Sequence, residues 1–292
     1  MILVTGATGP LGHAVVELLL KRTSASNIAA LVRDPAKAQD LEAQGVDIRQ
    51  GDYNDYASLV KAFTGIDKLY FVSGNDIPNR SVQQANVVRA AKQAGVKHAL
   101  YTSFLRKNET SSSPIALVAQ AHLETEAALM EGGIAYTILR HTLYTDMLPF
   151  FMGEKVLETG VIFQPAGEGK VSYALRTDMA EAAANILTSQ GHENKIYEIA
   201  GNDAVSYQEV AKIMSDLSGK SINYVSPTQE GFREELTKAG VPDHFIGLFG
   251  GFAEGIKQGE FDHTDPTLEK LLGRKPVSVK EYLKTVYFPS AN

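Results

Sequence analysis

Three glycines near the start of the chain have the spacing of a phosphate-binding turn. Gly6, Gly9 and Gly12 follow the apolar run 2–4 and precede a helical apolar pattern over 14–19. Glycine permits backbone conformations that a Cβ forbids, and the free N–H groups at the start of a helix bind phosphate oxygens. The pattern therefore predicts a strand, a tight turn and a helix that bind the pyrophosphate of a dinucleotide. The alternative is a turn in which the glycines have only a steric role.

Basic side chains follow the second apolar run, 28–32. At this point of a dinucleotide-binding fold, an acidic residue binds the ribose 2′-hydroxyl of NAD, whereas an arginine binds the 2′-phosphate of NADP. Arg33 at the end of the run and the nearby Lys37 favour NADP. Asp34 is the alternative, but it stands before Pro35 as if it began a turn or a helix. We therefore predict NADP, unless Arg33 is a surface charge without a ligand.

Polar residues follow three further runs, at 46–49, 68–73 and 99–103. The carboxyl ends of parallel strands meet at one edge of a sheet, where such folds bind their ligand. Asp52 is suited to accept a hydrogen bond from an adenine amino group and Tyr53 to line the slot of the ring. The alternative is that Asp52 only caps a turn. The residues predicted to contact the cofactor at these strand ends are Asp52, Tyr53, Ser73, Gly74, Asn75, Thr102 and Ser103.

No tyrosine is placed for the proton transfer in which short-chain dehydrogenases pair a tyrosine with a lysine four residues later. None of the 12 tyrosines has that lysine. We therefore expect an acceptor, such as a quinone or a cationic dye, that delocalises the incoming electron pair and takes its protons from water. Such a site needs apolar walls and a few hydrogen-bond donors, and no catalytic residue is assigned. The residues predicted to contact the acceptor are His122, His141, Tyr144 and Phe150, although each histidine and Tyr144 can equally be structural.

The elements that must position these residues alternate between short apolar runs and helical patterns. This alternation predicts an α/β class fold, a Rossmann-type doubly wound parallel sheet. Its predicted strands are 2–4, 28–32, 46–49, 68–73, 99–103 and 134–139. The pattern changes after residue 145, so we predict an NADP-binding Rossmann domain at 1–145 and a smaller, interleaved α/β substrate-side domain at 146–292. Segments around 166–200 are expected to return to the first domain.

Later parts of the chain have further periodic segments. A strand is predicted at 196–199, and helices are predicted at 177–187, 206–218, 230–239 and 245–257. The apolar residues of the last helix either line a pocket or belong to a core. The polar segment 107–114 has no hydrophobic period and is either a mobile lid or a surface connection.

The composition excludes several classes of function. The 292 residues have a formal net charge of −6 without a long basic run, which argues against nucleic acid as a partner. The chain has no cysteine, so disulfides and thiolate chemistry are excluded. No spacing of histidines or carboxylates indicates a metal. No membrane span or signal peptide is apparent, which predicts a cytoplasmic protein, and a homodimer is permitted but not required.

The motifs together resemble the NmrA-like atypical short-chain dehydrogenases. They are TGATGPLG, LVRDPAKA, QGDYND, AAKQAGVKHALYTS, HLETE, YTILRHTLYTD and GHENKIYEIAG. The resemblance extends over nearly the whole chain. One position departs from it, because His141 stands where these relatives usually carry asparagine.

The resemblance implies a set of contacts to NADP(H). At the glycine turn, the residues expected to hold the cofactor are Gly6, Ala7, Thr8, Gly9, Pro10 and Leu11. Elsewhere they are Arg33, Ser73, Gly74, Asn75, Arg140, His141, Gly169 and Lys170. The glycine spacing and the basic residues after the second run add Gly12 and Lys37 to the predicted cofactor residues. The family contains both reductases and non-catalytic redox sensors. The chain is therefore expected to be an NADPH-dependent reductase of quinones or similar conjugated acceptors, or else an NADP(H)-binding sensor that acts through a protein partner.

Overall fold

A seven-stranded sheet forms the centre of the computed structural model, which describes residues 1–153 and 155–289. Its strands, numbered in chain order, are β1 (Ile2–Val4), β2 (Ile28–Val32), β3 (Asp47–Gln50), β4 (Lys68–Phe71), β5 (His98–Phe104), β6 (Ala135–His141) and β9 (Lys195–Ile199). They are all parallel and lie in the order β3-β2-β1-β4-β5-β6-β9. The first six have the strand order of a Rossmann fold, so the predicted α/β doubly wound sheet is confirmed.

Helices cover both faces of this sheet. The α-helices of the described chain are α1 (Pro10–Leu20), α2 (Gln39–Ala43), α3 (Tyr56–Phe63), α4 (Arg80–Ala94), α5 (Ala116–Glu131), α6 (Leu148–Met152), α7 (Val156–Thr159), α8 (Arg176–Thr188), α9 (Tyr207–Ser218), α10 (Gln229–Lys238), α11 (Asp243–Lys257), α12 (Thr267–Leu272) and α13 (Val279–Tyr287). One face packs against α1, α8 and α12, and the other packs against α3, α4 and α5. Successive strand residues point to opposite faces, so Val4 belongs to the first core and Leu3 to the second.

A third core lies beyond the sheet and holds two small strand pairs. β7 (Val161–Phe163) pairs in parallel with β11 (Asn223–Val225), and β8 (Lys170–Val171) pairs antiparallel with β10 (Val205–Ser206). Residues of α9, α11 and α13 pack together in this core. The sequence does not predict these strands because each has only two or three residues, too few for an alternating pattern. The division into domains at residue 145 stays a prediction.

The helical predictions in this part of the chain agree with α8, α9, α10 and α11 to within a few residues. α9 begins where Ser206 accepts a hydrogen bond from the Glu209 N–H and the Glu209 carboxylate accepts one from the Ser206 N–H, a capping box. None of the helices within the described ranges combines the length and the apolar character that a bilayer crossing requires.

Candidate active site

The glycine turn joins β1 to α1 in a conformation that disfavours a side chain at Gly6 and at Gly12. Gly6 has a φ of +60°, and its carbonyl accepts a hydrogen bond of 2.9 Å from the Gly9 N–H. A Cβ on Gly12 would lie 2.3 Å from the Gly6 oxygen, so only glycine allows α1 to approach the turn this closely. No side chain caps the start of α1 at Gly9, which leaves the first N–H groups of the helix available to an anion.

The turn forms one wall of a cavity of about 480 Å³, called here the glycine-turn cavity. Its lining residues are Gly6, Thr8, Gly9, Leu31, Val32, Arg33, Gly51, Asp52, Tyr53, Asn54, Val72, Ser73, Gly74, Asn75, Asp76 and Gln83. Nine of the predicted cofactor residues are thus brought together: Gly6, Thr8, Gly9, Arg33, Asp52, Tyr53, Ser73, Gly74 and Asn75. The other residues of the turn, Ala7, Pro10, Leu11 and Gly12, do not line the cavity, and Ala7, Leu11 and Gly12 are buried.

Arg33 lies at the end of β2 with its side chain exposed and in the wall of the glycine-turn cavity. Within the described ranges it forms no ion pair with a carboxylate. The neighbouring Asp34 accepts a hydrogen bond of 3.0 Å from the Ala36 N–H and caps a short 3₁₀ helix, Pro35–Ala38. Asp34 therefore has the structural role that its position before Pro35 suggests, whereas Arg33 has a cation free for a ligand. Lys37 is exposed in the 3₁₀ helix and lies outside the cavity.

Tyr53 and Asp52 are partly engaged within the protein. The Tyr53 hydroxyl lies 2.5 Å from Thr5 Oγ1 and 2.7 Å from the Val72 carbonyl oxygen, and burial raises the pKa of this phenol. Asp52 Oδ1 accepts hydrogen bonds from the N–H and the Nδ2 of Asn54, at 2.8 and 3.1 Å. Asp52 therefore caps a turn, and its contact with adenine stays a prediction. The ring of Tyr53 remains in the cavity wall.

A second cavity of about 310 Å³, called here the apolar cavity, shares Ser73 with the first. It is lined by Ser73, Arg80, Ser103, Phe104, Val118, His122, His141, Thr142, Leu143, Tyr144, Met147, Phe151, Gln164, Tyr207, Leu248, Phe249, Phe252, Ala253 and Ile256. Most of this wall is apolar or aromatic, and α11 contributes five of its residues, Leu248, Phe249, Phe252, Ala253 and Ile256. Of the predicted acceptor residues it includes His122, His141 and Tyr144. Phe150 lies outside it, exposed and in edge contact with Phe249.

His141 ends β6 and lies in the wall of the apolar cavity. The residue is 2% exposed, and neither ring nitrogen has a hydrogen-bond partner among the described residues. Burial lowers the pKa of His141 to about 3, so the ring is neutral at pH 7 and carries one N–H. A buried polar group without a partner costs about 1–3 kcal/mol, and both ring nitrogens of His141 are available for a hydrogen bond with a ligand in the cavity.

His122 belongs to a directed chain of hydrogen bonds from α4 to β5. Arg80 Nη1 lies 3.3 Å from His122 Nε2, and because an arginine only donates, that nitrogen must accept. His122 Nδ1 therefore carries the proton and donates to the Tyr101 hydroxyl at 2.7 Å, and Tyr101 donates to Gln84 Oε1 at 3.1 Å. Burial, with the charge of Arg80 adding to it, lowers the pKa of His122 to about 3.

A buried ionic cluster lies near these hydrogen bonds, and the sequence does not predict it. Glu126 on α5 is bound by Arg106 at 2.8 Å and by Arg140 at 2.7 Å, and it accepts a hydrogen bond from Ser103. Burial acts to raise the pKa of Glu126, but the hydrogen bonds from Arg106, Arg140 and Ser103 outweigh it and lower the pKa to about 2. Arg140 is therefore held by Glu126 and lines neither cavity.

Three other predicted cofactor residues lie outside both cavities. Thr102 is buried, and its Oγ1 accepts a hydrogen bond of 2.8 Å from the Ser73 N–H, so it fixes Ser73 where the cavities meet. Gly169 packs closely on the Ile256 carbonyl, and Lys170 pairs with Glu209 at 3.0 Å. Their direct contact with the cofactor stays a prediction.

The polar loop at 107–114 is anchored by a distant carboxylate. Glu260 accepts hydrogen bonds from the N–H groups of Lys107 and Asn108, at 2.8 and 3.0 Å, and from the Ser113 hydroxyl. Lys107 also pairs with Asp262. These contacts favour the surface connection over the mobile lid.

One group of possible metal ligands comes together away from the two cavities. Glu198, His263 and Asp265 each place a ligand atom within 4.8 Å of the others, and His263 pairs with Glu198 at 2.9 Å. None of the three lines either cavity. The expectation that the protein uses no metal stays a prediction.

The chain is similar to known proteins over nearly its whole length. Quinone oxidoreductase 2 of Escherichia coli (strain K12) is 40% identical over 287 residues, which cover 98% of this chain and 99% of the relative. The crystal structure of NADPH-dependent quinone oxidoreductase from Escherichia coli in complex with NADPH matches with a TM-score of 0.90 and 39% identity, over 98% of this chain and 100% of the other. The Citrobacter sp. triphenylmethane reductase in complex with NADP(H) also gives 0.90, with 42% identity over 98% and 99% of the two chains.

A sequence model of the NmrA-like family matches residues 1–283 of this chain, almost the same extent as the relatives above. The resemblance carried by the sequence motifs is thereby confirmed, and the chain belongs to the NmrA-like family.

Proposed function

We infer that this chain is an NADPH-dependent oxidoreductase that reduces quinones or similar conjugated acceptors. The observation that carries this proposal is the meeting of two cavities at Ser73, one walled by the glycine turn and the other mostly apolar. The names of the similar proteins, which include a quinone oxidoreductase with NADPH and a triphenylmethane reductase with NADP(H), support the same function.

The residues of the glycine-turn cavity fit NADPH. The turn excludes a Cβ at Gly12, and the uncapped start of α1 suits a pyrophosphate. Arg33 at the end of β2 suits a 2′-phosphate, since Asp34 is engaged in its own cap. When bound, NADPH supplies the hydride.

The apolar cavity has three tasks in the proposed reaction. Its aromatic and aliphatic walls hold a flat acceptor beside Ser73 and exclude bulk water. His141, which is neutral and buried, donates its N–H to a carbonyl oxygen of the acceptor. The proton that completes the reduced product comes from water, since no tyrosine has a lysine four residues later.

The alternative, a redox sensor without catalysis, predicts that side chains of the protein fill the space next to the nicotinamide. The apolar cavity of about 310 Å³, which shares Ser73 with the glycine-turn cavity, favours the enzyme. Under the sensor alternative, the apolar cavity would bind no acceptor, and a protein partner would be needed to receive the redox signal.

Oxidation of NADPH with a panel of neutral quinones tests the proposed function. We expect rapid loss of NADPH absorbance that depends on the quinone, and slower turnover with NADH. Tight binding of NADPH in a calorimetric titration without turnover of any acceptor would contradict the reductase and favour the sensor.

Replacing Arg33 with aspartate is expected to weaken binding of NADPH by about tenfold or more, because a charge-assisted hydrogen bond contributes about 1.5–3 kcal/mol. The affinity for NADH should change much less, since NADH has no 2′-phosphate. The measurement is the dissociation constant of each nucleotide for both proteins.

Lys92→Asp is the matched control for Arg33→Asp. It makes the same change of charge at an exposed position near the end of α4, away from both cavities. It should leave both affinities nearly unchanged. Equal weakening of NADPH and NADH by Arg33→Asp would mean that Arg33 does not recognise the 2′-phosphate.

A further inference from the structure

Arg80 is a buried cation in the wall of the apolar cavity. It is the first residue of α4, is 8% exposed, and lines the cavity together with Ser73 and His122. Its Nη1 contacts His122, and its Nε is buried without a hydrogen-bond partner. Within residues 1–153 and 155–289, it forms no ion pair with a carboxylate.

The groups around Arg80 do not neutralise its charge. Tyr101 and Tyr144 are uncharged, since burial raises the pKa of both phenols. His122 is neutral and accepts from Arg80. The carboxylate of Asp76 attracts Arg80 without forming an ion pair with it in the described part of the chain, and it accepts hydrogen bonds from the side-chain amides of Asn79 and Gln83.

The buried carboxylate of Glu126 lies outside the cavity lining and is already paired. It pairs with Arg106 and Arg140, which both also pair with Glu109, so the charges of these four groups balance and none of them is left for Arg80. An arginine stays protonated even when buried, and a buried charge without a partner is costly. Among the described residues that line the apolar cavity, Arg80 therefore contributes an uncompensated positive charge.

We propose that Arg80 binds the acceptor oxygen on which negative charge develops, and that it thereby selects acceptors that become anionic on reduction. The proposal rests on the proposed function and adds a role and an acceptor class that the cavity itself indicates. A cation in a site of low dielectric stabilises such a charge more strongly than water does.

Reduction of a quinone meets this requirement. A C–H bond of NADPH breaks, the hydride with its two electrons forms one new bond to the quinone, and the displaced electron pair remains on a quinone oxygen. The products are NADP⁺ and a hydroquinone mono-anion, which a proton from water then neutralises. The negative charge on oxygen exists only after hydride transfer begins, so Arg80 stabilises the transition state more than the ground state.

A cationic triphenylmethane dye has the opposite charge requirement. The dye is positive before the reaction and uncharged after it has accepted a hydride. Arg80 repels the bound dye and finds no developing anion to stabilise. We therefore expect this enzyme to favour quinones over cationic dyes.

The first test measures binding without turnover. Protein loaded with NADP⁺ is titrated calorimetrically with 2,4-dinitrophenolate, an aromatic anion with its charge on oxygen, and with the uncharged 2,4-dinitroanisole. Arg80→Met should weaken binding of the phenolate about tenfold or more, in line with a charge-assisted hydrogen bond, and should change binding of the anisole only slightly. Arg80→Lys, which keeps the charge, should retain most of the phenolate affinity.

The second test compares two acceptors in the same variants. Arg80→Met should lower kcat/KM for a neutral quinone about tenfold or more and leave that for a cationic dye unchanged or higher. A residue with only a structural role would affect both acceptors alike. An unchanged affinity for NADPH would verify that the variant is folded, because Arg80 does not line the glycine-turn cavity.

The role of Arg80 would be overturned if Arg80→Met weakened binding of both probes equally and lowered kcat/KM for both acceptors equally. It would also be overturned if Arg80→Met left phenolate binding unchanged. The two levels of the proposal fail separately. If the unaltered protein reduced no quinone, the proposed function would be wrong, whereas a quinone reductase that is indifferent to Arg80→Met would contradict only the role of Arg80.

Discussion

Replacing Gly12 with alanine is expected to abolish binding of NADPH at concentrations that saturate the unaltered protein. A Cβ at this position would lie 2.3 Å from the Gly6 oxygen, 2.7 Å from the Gly6 carbonyl carbon and 2.9 Å from the Thr5 oxygen. These are backbone atoms, so the turn itself must move, and the N–H groups at the start of α1 no longer face the pyrophosphate. Calorimetric titration with NADPH measures the loss, and thermal unfolding measures the overpacking, which costs about 1–3 kcal/mol.

Two further alanine variants calibrate this result. Gly247 lies in α11 with no heavy atom within 4 Å of an added Cβ. Gly247→Ala should therefore leave NADPH binding unchanged and stabilise the protein by up to about 1 kcal/mol. Gly9→Ala should have an intermediate effect, since its Cβ would lie 3.3 Å from the Gly6 oxygen. Normal NADPH affinity in a folded Gly12→Ala variant would contradict the close approach of α1 to the turn.

Replacing Glu126 with glutamine is expected to lower the free energy of unfolding by about 3–5 kcal/mol, because it removes the buried counter-charge of Arg106 and Arg140. The side chain of Arg106 is 0% exposed, and among the described residues the carboxylate that would still pair with the two arginines is the half-exposed Glu109. Unfolding in urea at pH 7 measures the change. Glu124→Gln is the matched control, since it makes the same substitution at an exposed site of the same helix and should cost less than about 1 kcal/mol.

The contribution of Glu126 should also depend on pH. Its pKa is lowered from the ordinary value of 4.5 to about 2 in the folded protein. Its stabilising effect is therefore complete above about pH 4.5 and is lost as the pH falls towards about 2. The difference in stability between the unaltered protein and Glu126→Gln should shrink over that interval. A difference that did not change with pH would mean that the charge of Glu126 is not what stabilises the cluster.

The nucleotide side of the molecule is predictable from the sequence because its signals are local. The glycine spacing, the apolar runs and the arginine at the end of β2 each lie within a few residues of one another. A local contact also decides which of Arg33 and Asp34 is available to the ribose of the nucleotide. Asp34 precedes a proline and caps a turn, so its carboxylate is already engaged by a nearby N–H group.

The acceptor side depends on contacts between distant parts of the chain. Glu126 appears in the sequence as an ordinary helical glutamate, and only the fold brings it to Arg106 and Arg140. Arg80 has the pattern of a polar residue at a helix start, and its burial follows from the packing of α4 against α5. The pairing of Arg140 with Glu126 likewise joins β6 to α5, and no local signal in the sequence indicates it.

The two cavities also differ in when they can form during synthesis of the chain. Every residue that lines the glycine-turn cavity lies between Gly6 and Gln83, whereas the apolar cavity needs residues up to Ile256. The residues that line the glycine-turn cavity are therefore all synthesised before residue 84, whereas the lining of the apolar cavity is complete only once α11 has been synthesised. A chain truncated before α11 retains every residue that lines the glycine-turn cavity but lacks five of those that line the apolar cavity.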